Sequence, residues 1–302
     1  MVTKFQVLAS GSNGNCSIIT TSNGAILIDC GISRKKLITL LKTLKVSITS
    51  IKGLLLSHSH TDHCFGLPVI SEMINAPIIC SAGTLEELRK HERLDFRWSS
   101  IRRFSKTINP HEEVIIADFS IQSLATFHDA SGASGFFIKT HDADFTIITD
   151  TGKIFPEHID FMKKSDILLI EMNHELANLY SSNRPKWLKK RIDEYHLSND
   201  QVVRIFRHLE ETQIVGLFFG HLSGECNSPS IIENKLVEWA QERESFPWQC
   251  YICTRTAPSS MITLKKREII DSTQSALRLK KLQIEYTPRR DLLSYFQSET
   301  KG

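Results

Sequence analysis

Apolar residues along this chain come in short runs broken by polar turns, and several of the gaps between runs carry helical spacing. Residues 5–9, 16–20 and 25–29 predict strands, with Ser22-Asn23-Gly24 as a tight turn between the last two. Ser33 predicts the N-cap of a helix that runs to about Leu44 and carries Leu37, Leu40, Leu41 and Leu44 on one face. Residues 51–56 read as a buried strand, and Thr84-Leu85-Glu86-Glu87 as a capping box that opens another helix. Further strands are expected at 121–127, 135–140, 145–149 and 167–170. A helix from 199 to about 209 precedes a strand at 214–219, Pro229 opens a helix that ends before Phe246-Pro247, and 260–264 is the last core-like strand. Strands and helices mixed in this way predict two sheets packed together with helices outside.

At 302 residues, 41% hydrophobic and 24% charged, the chain can bury a sizeable core and has the composition of a folded enzyme, not of a disordered segment. Seven scattered cysteines read as reduced thiols, and Cys250-Tyr251-Ile252-Cys253 as a structural pair. No apolar run is long enough to span a bilayer and no leader is visible, so the cytoplasm is the expected compartment. The net charge is only +3, but nine Lys or Arg face five Asp or Glu after Leu264. The expected division is a body at 1–264 and a basic extension at 265–302, which either contacts a phosphate backbone or simply covers the body. The sequence sets no oligomeric state.

The chemistry announces itself in His58-Ser59-His60-Thr61-Asp62-His63, a polar run at the end of the 51–56 strand. Three imidazoles and a carboxylate packed this closely are most simply satisfied by a divalent cation, and their number suits two. The run resembles the HxHxDH signature of the metallo-β-lactamase superfamily. That resemblance implies a four-layer αββα sandwich of mixed α/β (α+β) class with ligands on loops at one rim. It also implies one metal on His58, His60 and His128, a second on Asp62, His63 and His221, and Asp150 bridging them. Asp29 matches the aspartate that orients the ligand loop. Each candidate lies just beyond a strand end, and five imidazoles with two carboxylates and no thiolate suit Zn²⁺, Mn²⁺ or Fe. His91, His111, His141, His158 and His208 have no partner pattern and read as ordinary.

Two divalent metals supply hydroxide at neutral pH and clamp the oxygens of an in-line displacement. Which atom is attacked depends on the surrounding groups, and three favour a phosphodiester. His196-Leu197-Ser198-Asn199 looks like the short motif of nuclease branches, in which the histidine contacts phosphate or protonates the leaving oxygen. Glu171-Met172-Asn173-His174 is similar to the segment whose glutamate pairs with that histidine, with His174 a supporting residue. Ser10, Gly11, Ser12 and Asn13 open a Gly-rich turn that either cradles a phosphate, together with Ser198, or is a plain turn.

These motifs together resemble the YycJ/WalJ branch over about residues 4–264. The branch implies a dinuclear, metal-dependent 5′-to-3′ DNA exonuclease, with hydroxide attack on phosphorus and Asp62, His196 and Glu171 serving the chemistry. Two divalent cations, Zn²⁺ or Mn²⁺, are the expected cofactors, and DNA rather than RNA the expected partner, with no membrane. The chain departs from the pattern at Glu171-Met172-Asn173-His174-Glu175 and in its extension after Leu264. The rival reading is a small-molecule hydrolase on the same fold: a cyclic phosphodiesterase, thioesterase or lactonase.

Overall fold

The computed structural model describes residues 2–91, 98–210, 212–241 and 248–273. The first sheet is built from β1 (Thr3–Ala9), β2 (Cys16–Thr21), β3 (Gly24–Ile28), β4 (Ile51–Leu55), β5 (Ile78–Cys80) and β6 (Ser105–Thr107). The chain then crosses to a second sheet through β7 (Glu113–Ile116), β8 (Phe119–Ala125), β9 (Ser134–Lys139), β10 (Asp144–Ile148), β11 (Ile167–Glu171), β12 (Gly216–Gly220) and β13 (Gln249–Ile252). It returns to the first with β14 (Ile262–Lys265) and β15 (Glu268–Ser272), giving the orders β15-β14-β1-β2-β3-β4-β5-β6 and β13-β12-β11-β10-β9-β8-β7.

Side-chain alternation along the strands divides the apolar residues into three layers of core. Between the sheets lie Phe5, Ile26, Ile28, Leu55, Phe145, Ile147 and Phe218. The outward Leu27, Leu54 and Leu56 pack on Leu37, Leu41, Ile70 and Leu88 of the helices Arg34–Thr43, Leu67–Ile74 and Ala82–Lys90. The outward Leu168, Ile170, Leu217 and Phe219 pack on Met162, Val202, Phe206 and Leu236 of the helices Pro156–Lys164, Asn199–Phe206 and Pro229–Gln241. The order is therefore helix, sheet, sheet, helix, the expected αββα sandwich. Among the described residues no helix is long and apolar enough to cross a membrane.

Several boundaries differ from expectation. The helix expected to open at Thr84 is capped three residues earlier, where the Ser81 hydroxyl accepts the Thr84 N–H at 3.0 Å. The strand expected from 214 begins at Gly216, where the Val215 and Gly216 N–H groups share the Asp166 carbonyl. The first sheet does not stop at Leu264: β15 pairs antiparallel with β14, Lys265 opposite Glu268, so the body runs at least to Ser272. The rest of the basic extension, and the expected helix end before Phe246, lie outside the described residues.

Parallel pairing is what gathers the site. β3 runs parallel to β4, and β10, β11 and β12 run parallel in sequence, so their C-terminal ends share one rim. Polar residues directly after those ends open onto one cleft.

Candidate metal centre

Three of the site residues leave their strands through a left-handed turn: Asp29 (φ 57°) after β3, Asp150 (φ 55°) after β10 and His221 (φ 52°) after β12. This conformation is uncommon for residues with a Cβ, and it swings each side chain back over the sheet rim. The β4 end supplies His58, and the short helix Thr61–Cys64 presents Asp62 and His63 with His60 at its N-cap. The underlying loop fits only because Gly31 has no side chain: a Cβ there would lie 1.6 Å from the Asp62 carbonyl oxygen. Gly31 also donates its N–H to Asn15, and Asn15 in turn donates to Asp62.

All seven candidate ligands converge. His58, His60 and His128 form one group, Asp62, His63 and His221 another, and Asp150 joins His58 and His63 in a third; within each group the donor atoms lie within 4.8 Å. Asp150 sits between the two sides, with Oδ2 3.1 Å from His63 Nε2 and Oδ1 3.4 Å from His221 Nδ1 and 3.9 Å from His128 Nε2. Asp62 Oδ2 lies 3.4 Å from His221 Nε2.

The rings are oriented from behind. Asp29 Oδ2 holds His63 Nδ1 at 2.7 Å and also takes the Ser57 hydroxyl, while Asp29 Oδ1 takes the Ser57 N–H. The Ser57 hydroxyl lies 3.0 Å from His58 Nδ1, and the Tyr195 carbonyl accepts from His128 Nδ1 at 3.1 Å. In each case the Nδ1 side is occupied and Nε2 faces the cleft, the usual support for an imidazole ligand. His58 Nε2 is buried with no hydrogen-bond partner, and buried Asp150 Oδ2 meets only the His63 ring, at 3.1 Å. Acceptors left so short of donors inside a ring of histidines and carboxylates are costly unless a cation takes their lone pairs, so these residues fit a divalent metal. Cys64 stays out of the set: its thiol donates to the Ser59 carbonyl, and burial pushes it up to about 12.

Electrostatics split the imidazoles into two classes. Burial pulls His58 well below the ordinary imidazole range, lowers His60 and takes His128 to about 4. Burial opposes the charge on His63 and His221 too, but carboxylates outweigh it. Asp150, Asp29 and Asp62 raise His63 well above the usual value, and Asp150, Asp62 and Glu171 lift His221 to about 10. Asp62, half-buried, is drawn down to about 2 by His63 and His221 against the opposing effect of burial.

His196, at the C-cap of the helix Lys186–Tyr195, lies beside this cluster with Nδ1 3.0 Å from Glu171 Oε2 and 3.7 Å from Asp150 Oδ1. Glu171 is fully buried, and its Oε2 also lies 3.3 Å from His221 Nδ1. The expected His196–Glu171 pairing is therefore present. His174 differs: it sits behind the site, its carbonyl accepts the Asn199 N–H, and its buried ring makes no hydrogen bond, Nε2 lying 3.8 Å from Asp193 Oδ1.

The expected phosphate contacts mostly do other work. Ser198 is fully buried and caps its helix, accepting the Gln201 N–H, so its hydroxyl does not face the cleft. Ser10 accepts the His221 N–H at 2.7 Å and fixes that residue. The Gly11 N–H is spent on Asn15 Oδ1 and the Gly14 N–H on the Gly11 carbonyl, which leaves no cradle of free donors from these two. Ser12 and Asn13 remain exposed at the tip.

Four neighbours escaped the sequence reading. Asn15 lies 2.9 Å from His63 Nε2 and 3.2 Å from Asp62 Oδ2. Asn173 donates to the His221 carbonyl at 2.8 Å. Asp129 lies 3.4 Å from His128 Nε2 and is gripped by Arg191 through both carboxylate oxygens. Arg255 donates to the Ser12 hydroxyl at 2.8 Å and lies against Gly224, where a Cβ would come within 1.9 Å of Nη1. Asp129 adjoins His128, Asn173 lies within Glu171-Met172-Asn173-His174 and Asn15 closes the Gly-rich turn, whereas Arg255 reaches the site with no local signal.

Residues 25–217 match the family model of the beta-lactamase superfamily domain. The exodeoxyribonuclease WalJ of Streptococcus pneumoniae serotype 2 (strain D39) is 28% identical over 239 residues, covering 78% of this chain and 87% of that protein. The exodeoxyribonuclease YycJ of Bacillus anthracis is 24% identical over 249 residues, covering 79% and 89%. Among solved structures, Zn²⁺-bound PqqB from Methylobacterium extorquens superposes with a TM-score of 0.63 at 12% identity, covering 87% of this chain and 99% of that one. YhfI from Bacillus subtilis gives 0.61 at 15% identity, covering 85% and 98%. These two likenesses show the shared fold. With its sandwich, its rim of histidines and carboxylates, and a family match through most of the body, the chain belongs to the beta-lactamase superfamily of metal-dependent hydrolases, in its YycJ/WalJ-like branch.

Proposed function

We propose that this protein is a dinuclear metal-dependent phosphodiesterase that degrades DNA from the 5′ end. His58, His60 and His128 would hold one cation, Asp62, His63 and His221 the other, and Asp150 would bridge; Zn²⁺ and Mn²⁺ suit the donors. When bound, the pair supplies Lewis acidity at the phosphodiester oxygens and lowers the pKa of water. The chain's own residues do the rest. Asp29 and Ser57 keep His58 and His63 turned inward, and Ser10 and Asn173 hold His221 in place.

The observation that carries the phosphodiester reading is the His196–Glu171 pair at 3.0 Å beside the ligand cluster. With Nδ1 held by a buried carboxylate, Nε2 is the nitrogen left for substrate. A donor of that kind suits a departing sugar oxygen, which needs a proton as the P–O bond breaks. Arg255 on the Ser12 tip adds a cation at the cleft margin, where a phosphate is more at home than an uncharged lactone or thioester. The curated relatives named as exodeoxyribonucleases support the choice of DNA.

A substrate panel with Zn²⁺ and Mn²⁺ tests this: 5′-labelled single- and double-stranded DNA, RNA, a cyclic nucleotide and a thioester. The expected first product is a labelled mononucleotide from DNA. Turnover confined to the cyclic nucleotide or the thioester would replace this reading with a small-molecule hydrolase.

A further inference from the structure

The helix Lys186–Tyr195 ends at His196, yet only Ile192 of its residues is buried. Its sequence is unusual for a helix with so little packing. From Arg184 to Arg191 it has five basic residues and no acidic one, with Trp187 among them. Trp187 is 68% exposed, second only to Ile115 of the large apolar side chains among the described residues. Trp187, Arg191 and Tyr195 recur every fourth residue, so they form one stripe along the helix.

The stripe leads to the metal centre. At its inner end the Tyr195 carbonyl accepts from His128, and the Tyr195 ring stacks on Phe127 at 5.6 Å. One turn out, Arg191 grips Asp129, which lies beside His60 and His128. Two turns out stands Trp187, about 12 Å along the axis from Tyr195. Lys186 and Lys190, also four apart, flank it, and among the described residues neither pairs with a carboxylate. An unpaired cationic pair beside an exposed indole matches the two things a single strand offers, backbone charge and base faces. A duplex hides those faces by stacking them on one another, so the match is to unpaired DNA.

We propose that this stripe is the track along which the single-stranded end of DNA reaches the metal centre, with a base stacked on Trp187 and phosphates on Lys186 and Lys190. The proposal rests on the nucleic-acid reading above and gives it a substrate form. The surface accepts any base, since every base presents a π-face, and it makes the enzyme prefer frayed or unpaired ends.

The metal-loaded full chain is titrated with a fluorescein-labelled single-stranded phosphorothioate oligonucleotide, which resists cleavage; a small chromogenic phosphodiester reports the metal centre separately. Trp187→Ala is expected to weaken oligonucleotide binding by roughly five- to a hundredfold, the loss of one base stack, with chromogenic turnover at the wild-type level. Trp187→Phe, which keeps an aromatic face, should recover most of the affinity. Lys186→Gln with Lys190→Gln should flatten the slope of log Kd against log salt by about 1.4, two phosphate contacts' worth. Unchanged binding in Trp187→Ala overturns the proposal, as does a blunt duplex that competes as well as the single strand. Failure of the nuclease reading shows elsewhere, as wild-type protein that hydrolyses the chromogenic diester but leaves ordinary DNA uncut.

Discussion

Loading metal into the metal-free protein at neutral pH should expel two protons, both from one half of the centre. His58, His60 and His128 are lowered and therefore already neutral at pH 7, so a cation on these three displaces nothing. His63 and His221 are held in the charged form by the carboxylates around them, the second with a pKa of about 10. Asp62, at about 2, is ionised throughout and releases nothing. A cation on Asp62, His63 and His221 must displace both imidazole protons, since a metal takes only the neutral ring. For His221, with a pKa of about 10, displacing that proton at pH 7 opposes binding. The sign follows: protons leave on binding, so the affinity of this half rises with pH, by about a hundredfold per unit while both rings are charged, and that of the other half stays flat. Isothermal titration calorimetry in buffers of differing ionisation heat reads the count as a slope. Two phases are expected, one with a slope near zero and one near two. A single phase, or a slope near zero in both, would refute the division of the imidazoles.

The remaining expectations address other links in the argument. His196→Ala should keep its metal, by elemental analysis, and lose about 10²–10⁴-fold in phosphodiester turnover; wild-type turnover would remove it from the chemistry. Gly31→Ala drives a methyl into the Asp62 backbone and should cost about 1–3 kcal/mol in thermal or denaturant unfolding, with lowered metal content. Phe218→Ala, which empties the space between Phe5 at 4.9 Å and Tyr251 at 4.4 Å, should cost about 3–5 kcal/mol and spare the site. A chain ending at Thr273 should fold and hydrolyse a small diester while binding DNA more weakly. One ending at Leu264 loses β15 and part of β14 and should be destabilised, a contrast read by circular dichroism melts.

Much of the architecture was legible because strands buried on both faces are written as unbroken apolar runs. β3, β11 and β12 are of this kind, and they lead into the candidate site residues Asp29, Glu171 and His221. β5 and β6, at three residues each, are too short to show a period. The helix Lys186–Tyr195 went unseen because its apolar stripe is nearly absent and its outer face is charged. Ser198 misled because its position beside His196 resembles a contact motif, while its hydroxyl is needed as an N-cap. Arg191 and Arg255 reach the site across long sequence separations, and no local pattern marks such contacts. The Ser10–Asn13 turn was recognised as a turn, but its direction depends on Asn15, which draws the Gly11 N–H inward.

The left-handed turns at Asp29, Asp150 and His221 join heat tolerance to competence in this fold. Each forces a residue with a Cβ into a conformation that glycine or asparagine would adopt more cheaply, at about 1 kcal/mol apiece. The contacts these residues make outweigh that strain: Asp29 takes two donors of Ser57 and one of His63, and Asp150 faces both His63 and His221. Relieving the backbone with glycine at these positions would therefore weaken the fold and the metal centre together, so stability and competence are tied at the same three residues.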